Sequence, residues 1–147
     1  MNQELSEYFM GQAILEGRKA REICGDNPPV GCVLVSGNKI VARGYTNEPG
    51  KPHAEAMALA QLPVGLEEIV AFVTLEPCSF HGRTPSCAQA LVERGVSKLF
   101  VGILDPDPRN NGVGIDIVKK SGVEVVVGTL EKEILQEIGS LLNSQSQ

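Results

Sequence analysis

IVAFVTLEPCSFHGRTPSCAQALVERG, residues 69–95, changes its backbone preference twice within 27 residues. Ile69–Leu75 is a short apolar run rich in β-branched and aromatic side chains, which is the composition of a buried strand. Ser86-Cys87-Ala88-Gln89 has the Ser-x-x-Gln form of a capping box, and it opens a helix that runs to about Arg94 and stops at Gly95. Cys78 and Cys87 flank the eight residues between strand and helix, among them Phe80, His81, Gly82, Arg83 and Pro85. Two cysteines placed this way are a disulfide, a pair of buried apolar side chains or two ligands of a metal.

The same punctuation organises the chain on either side. Upstream, His53–Ala60 is rich in strong helix formers, with Pro52 near its start. Before it, Val30–Val35 and Ile40–Tyr45 are β-rich runs split by Ser36-Gly37-Asn38-Lys39, a hairpin signal that makes them antiparallel neighbours. Leu5, Phe9 and Ala13, with Met10 and Ile14, recur at helical spacing in a first helix drawn from Leu5 to Cys24 and stopped by Gly25-Asp26-Asn27-Pro28-Pro29. Downstream, Leu99–Leu104, a helix from about Gly114 to Lys120 and Val123–Val127 form a strand-helix-strand unit whose strands are expected parallel, with a right-handed crossover. Ile134, Leu135, Ile138, Leu141 and Leu142 mark a last amphipathic helix, with a frayed polar tail over 143–147. The expected architecture is α/β, one domain over 1–147 with a mixed five-stranded sheet and helices packed on it.

Composition narrows the classes of function. The chain has 147 residues, 42% hydrophobic and 21% charged, enough for one real core. Its net charge of −5 and pI near 5.0 argue against a nucleic-acid backbone as main partner. The N-terminus MNQELSEYFM lacks the pattern of a secretory signal, and no run approaches the ~20 apolar residues of a membrane span. A cytoplasmic protein is expected, where thiols stay reduced, and this disfavours a Cys78–Cys87 disulfide.

Cys24, at the end of a helix, and Cys32, inside VGCVLV, read as small apolar side chains. Cys78 and Cys87 each sit at or just before a helix start, where the helix dipole favours the thiolate that binds metal. His53 opens another helix with Glu55 two residues on. His-x-Glu followed by Pro-Cys and a further Cys is the signature of zinc deaminases, in which the Glu is not a ligand. Zn²⁺ held by His53, Cys78 and Cys87 is formally neutral and keeps one of four tetrahedral positions open for water, as catalytic zinc does. Glu55 is then placed to take a proton from that water and later return it to a leaving amine. A structural zinc site, in a module that binds a ligand without catalysis, is the rival; such sites usually have four protein ligands and no use for Glu55.

DNPPVGCVLV (26–35), GKPHAEAMAL (50–59), VTLEPCSFHGRTPSC (73–87) and GILDPDPRNNGVGIDIVKKSGVEV (102–125) together resemble the deaminase domain of the bifunctional riboflavin-biosynthesis deaminase/reductases, within the cytidine-deaminase superfamily. The eight residues between the cysteines are similar to that branch, whereas nucleic-acid and free-cytidine deaminases carry two or three there. The resemblance implies a three-layer α/β/α fold and a catalytic zinc. It also implies hydrolytic deamination of a small aminopyrimidine, 2,5-diamino-6-(ribosylamino)-4-pyrimidinone 5′-phosphate, by a homo-oligomer (dimer or tetramer). The reductase domain is expected to be missing, since only one helix follows Val127. Asn27 matches a family position that contacts substrate, and Arg83 sits where the family carries Lys or Arg, a fork suited to phosphate. Thr46 and Phe80 stand where bacterial members carry His, and their surroundings look more like fungal enzymes that act on the ribitylamino compound. Phe80 is a candidate to stack on a substrate ring, with His81 beside it as a hydrogen-bonding group. The run from Asp105 to Gly112 is expected at the carboxyl end of a strand, where open α/β sheets place ligand loops.

Overall fold

The computed structural model describes residues 1–80 and 85–145, with side chains through Leu142. In chain order the elements are α1 (Gln3–Lys19), β1 (Gly31–Ser36), β2 (Lys39–Tyr45), α2 (Ala54–Leu59), β3 (Val70–Leu75), α3 (Cys87–Arg94), β4 (Lys98–Ile103), α4 (Val113–Lys120), β5 (Glu124–Val127) and α5 (Glu131–Gln145). The strands lie in the order β2-β1-β3-β4-β5. β1 is antiparallel to β2 and β3, while β3, β4 and β5 run parallel. The result is the mixed five-stranded sheet expected from the sequence. α1 and α5 cover one face, tied to each other by Arg18 and Glu137, and α2, α3 and α4 cover the other.

The hairpin is tighter than the sequence suggests. Ser36 and Lys39 join the strands, so Gly37 and Asn38 alone make the turn, both at φ +59°, the left-handed pair that matches strand twist. A register shift between Leu34 and Val35 adds a bulge that no residue type announced. α1 stops at Lys19 instead of reaching Cys24. Ala20–Cys24 continue as turns, with Cys24 N–H donating to Ala20 O at 2.9 Å, and the chain reverses so that Pro29–Gly31 packs on Gly17. At the other end, backbone expected to fray from 143 is helical as far as Gln145; residues 146 and 147 lie outside the described residues.

Strand alternation sends neighbouring residues to different layers. Phe72 stacks on Phe100 with ring centroids 4.6 Å apart and meets Phe9 of α1 at 5.4 Å, on the α1/α5 face. Each such ring, fully buried, contributes roughly 1.5–3 kcal/mol. Two glycines let helices touch the sheet backbone. A Cβ on Gly31 would lie 1.8 Å from Ala13 O, and one on Gly44 would lie 2.1 Å from Ala54 O. The second contact seats the first turn of α2 directly on β2. Cys24 and Cys32 are both buried free thiols, as expected of small apolar side chains. Among the described residues no helix is long and apolar enough to cross a membrane.

Candidate active site and metal centre

Three segments meet at the carboxyl ends of β3 and β4. His53 is the N-cap of α2, extended at φ −72° and ψ 171°, and its side chain makes no capping bond. Cys78 follows β3, and Cys87 is the first residue of α3, whose N-cap Ser86 accepts from Gln89 N–H at 3.1 Å. His53 Nδ1 lies 3.8 Å from Cys78 Sγ and 3.4 Å from Cys87 Sγ, and the three donor atoms all fall within 4.8 Å of one another. Bonds of about 2.0–2.3 Å to a tetrahedral zinc give ligand–ligand edges of about 3.3–3.8 Å. The trio therefore fits a zinc ion held by one imidazole and two thiolates.

Electrostatics agree with the geometry. The two thiols share a proton: the side-chain hydrogen bond with Cys87 holds Cys78 well below the ordinary thiol range, while the same bond, aided by burial, holds Cys87 far above it. The main-chain N–H of Cys87 donates to Cys78 Sγ at 3.2 Å and stabilises the thiolate further. Without a cation the pair keeps one negative charge, and a divalent ion is what releases the second proton. The His53 ring is raised by its hydrogen bond with Cys78, against burial. Glu55, two residues on, is 4% exposed. Burial first, and the charge of Cys78 second, push its carboxyl up to about 7.

Above these groups lies a cleft of ≈ 300 Å³. His53, Cys78 and Glu55 form part of its lining, and Asn27, Thr46 and Phe80 line it too, so the structure gathers these expected residues in one place. Cys87 stands behind them in hydrogen-bond contact with His53. His81 and Arg83 lie outside the described residues. Thr46 is buried, and its hydroxyl accepts from Val30 N–H at 2.9 Å, so it serves the cleft by fixing the chain behind Asn27 and Pro28. Phe80 is 46% exposed at the mouth, with the Arg109 guanidinium 5.0 Å from its ring centre.

The Asp105–Gly112 run reaches the cleft through Asp105, Asp107 and Arg109. Arg109 forks onto Asp107, with Nε 3.1 Å from Oδ1 and Nη2 2.6 Å from Oδ2. That pairing holds the Asp107 carboxyl down to about 2. Two further buried polar residues stand here, Glu76, which no motif singles out, and Asn110, part of the run expected to form a ligand loop. Glu76 lies at the end of β3 and Asn110 in the loop after β4, and both make several hydrogen bonds there. The signal for Glu76 is a carboxylate directly before Pro77-Cys78, at the carboxyl end of an apolar strand, and it lines the cleft.

The sequence profile described as "Cytidine and deoxycytidylate deaminase zinc-binding region" matches residues 3–103. The riboflavin biosynthesis protein RibD of Aquifex aeolicus is 40% identical over 133 residues, covering 90% of this chain and 37% of that protein. The diaminohydroxyphosphoribosylamino-pyrimidine deaminase of Buchnera aphidicola subsp. Acyrthosiphon pisum is 39% identical over 129 residues, 88% of each chain. RibD of Acinetobacter baumannii superposes with a TM-score of 0.91 at 37% identity over 99% of this chain and 41% of its own. The chain thus spans little more than a third of the RibD proteins it matches. The Aspergillus oryzae Rib2 deaminase shares the fold, with a TM-score of 0.75 at 22% identity.

Proposed function

Because the chain belongs to the cytidine and deoxycytidylate deaminase zinc-binding family, we propose that it releases ammonia hydrolytically from 2,5-diamino-6-(ribosylamino)-4-pyrimidinone 5′-phosphate or its ribitylamino form. The observation that carries this reading is Glu55, buried beside the His53–Cys78–Cys87 trio under an open cleft. A zinc site that only braced a fold has no use for a buried acid there. The Buchnera relative, of nearly the same length, is named for the ribosylamino reaction.

Bound by His53, Cys78 and Cys87, zinc supplies the Lewis acidity that makes water a competent nucleophile near neutral pH. In the balanced reaction water adds to the ring carbon bearing the amine, the C–N bond breaks, ammonia leaves and the carbon keeps the oxygen as a carbonyl. Both protons of the water must leave its oxygen, one to the ring nitrogen beside the new carbonyl and one to the departing nitrogen. Glu55, whose burial raises its carboxyl above the ordinary carboxylate range, is the group beside the ligands that can carry both protons in turn. Asn27 and Phe80 line the cleft, which supports a part for both in holding the substrate. Phe80 at the mouth, a position where the family resemblance implies His in bacterial members, favours the ribitylamino form as the second reading.

Ammonia release from a panel of ribosylamino and ribitylamino pyrimidines, phosphorylated and not, tests the proposal, with cytidine, cytosine, guanine and adenosine as outgroups. Turnover confined to an outgroup removes the riboflavin assignment and leaves the deaminase one. The resemblance also implies a dimer or tetramer, which light scattering of the purified chain measures. Two buried thiols, Cys24 and Cys32, and two metal-ligand cysteines fit a reducing, cytoplasmic setting.

A further inference from the structure

Glu76 is 3% exposed, follows the last residue of β3 and precedes Pro77-Cys78. Its own N–H donates to Ile103 O at 2.9 Å, which anchors it to β4. Its carboxylate accepts three main-chain N–H groups. Oε1 takes Asp105 at 3.1 Å and Gly112 at 3.0 Å, and Oε2 takes Ile115 at 3.1 Å. Asp105 and Gly112 are the two ends of the loop that carries Asp107 and Arg109 into the cleft, and Ile115 lies in the first turn of α4. One carboxylate thus closes that loop at its base and neutralises the N-terminal end of α4.

Two neighbours lock the same junction. Asn110, fully buried, donates through Nδ2 to Pro77 O and to Asp105 Oδ2, each at 3.2 Å. Gly114 sits so close that a Cβ there would lie 1.9 Å from Pro77 O. The metal ligand next door has ties of its own: Cys78 Sγ accepts from Cys87 N–H, and Cys78 O accepts from Ala88 N–H at 3.1 Å. The carboxylate's bonds all go to the Asp105–Gly112 loop and the start of α4, and none goes to Cys78.

We infer that Glu76 is a positioning residue for substrate, which holds the Asp105–Arg109 wall at a fixed distance from Glu55 and the metal ligands. Its kinetic consequence rests on the proposed deaminase reading; its structural consequence does not. In Glu76→Gln the amide oxygen still serves Asp105 and Gly112, but the amide NH₂ faces the N–H of Ile115. Zinc is expected to stay at one per chain. Amide exchange at Ile115 speeds up by about tenfold or more, the scale of one charge-assisted bond lost, with smaller rises at Asp105 and Gly112, whose acceptor has lost its charge. KM rises about tenfold with kcat within about threefold, as for a change in ground-state placement.

A fall in kcat at unchanged KM, loss of zinc, or unaltered exchange at the three amides overturns the inference. Should the Gln variant fail to fold, Asn110→Val cuts the Pro77 and Asp105 ties while leaving Glu76 in place, and must give the same KM-led loss with zinc retained. A wild-type protein inert towards every pyrimidine sinks the proposed function instead. The exchange measurement on zinc-loaded protein then decides the latch by itself.

Discussion

The main-chain N–H of Cys87 points at Sγ of Cys78 across 3.2 Å, so one residue opens α3, supplies a thiol and charges its neighbour's thiol. The cysteines are therefore not interchangeable with serines, whose oxygens are poor zinc ligands at this pH. Cys78→Ser or Cys87→Ser is expected to weaken zinc binding more than about a hundredfold, beyond the 10–100-fold typical of changes outside the ligand set. Competition with a chromophoric chelator measures it. Retention of wild-type affinity by either variant excludes the trio as the metal site.

Glu55→Gln keeps the size of the side chain and removes its proton traffic. Ammonia release is expected to fall by about 10²–10⁴. Zinc content should not change, since the carboxylate is not among the three grouped ligand atoms. A variant that keeps more than a small fraction of the activity places the proton shuttle elsewhere.

Burial of Glu55 also leaves a mark on stability. Below its ordinary value of 4.5 the carboxyl is protonated folded or unfolded. Between 4.5 and about 7 the unfolded chain releases a proton that the fold retains, and above about 7 the fold must bury the charge. Metal-free protein therefore loses roughly 3 kcal/mol of stability from this group as pH climbs through that window, and little more above it. Urea unfolding of the metal-free chain at pH 5 and pH 8, against Glu55→Gln, isolates the contribution. Equal slopes in the two proteins would show that Glu55 titrates normally.

Periodicity and punctuation made most of this legible. Ser86 and Gly95 bracket α3 because capping chemistry is local, and Ile69–Leu75 reads as a buried strand because helices cover both faces of the sheet there. The zinc trio was legible for another reason: His53, Cys78 and Cys87 each stand at a helix start or in the loop leading to one, and helix starts at the same end of a sheet converge. The bulge at Leu34/Val35 and the reversal after Lys19 come from tertiary packing, which leaves no residue type of its own. Glu76 stayed hidden because its three partners are backbone groups, and backbone N–H groups are the same in every sequence. Thr46, expected to face substrate, lines the cleft while its hydroxyl accepts from Val30 N–H, a backbone tie that no residue type announces.

Gly44 tests how far the sheet positions the chemistry. It lies opposite Cys32 in β2, and only hydrogen at its Cα clears Ala54 O in the turn that carries His53 and Glu55. Gly44→Ala must push α2 off the strand, at about 1–3 kcal/mol for overpacking. Stability in urea and zinc affinity are expected to fall together, because the displaced helix takes a ligand with it. Full zinc affinity in a destabilised variant would mean that α2 moves without His53.

Phe80 and Arg109 meet at the cleft mouth, one from the loop after β3 and the other from the loop after β4. An exposed cation–π contact is worth about 0.5–1 kcal/mol, too little to matter for folding. It is enough to hold the guanidinium over the ring, with the Asp107 fork fixing its other edge. Phe80→His swaps the phenyl ring for a smaller, polar aromatic ring that donates or accepts a hydrogen bond. If this position reads the substrate's arm, the ratio of kcat/KM for ribosylamino over ribitylamino substrate should rise by about tenfold, the value of one good polar contact. Thermal stability should remain near wild type. Paired kinetics on the two substrates make the measurement, and an unchanged ratio assigns the choice of arm to other residues of the cleft.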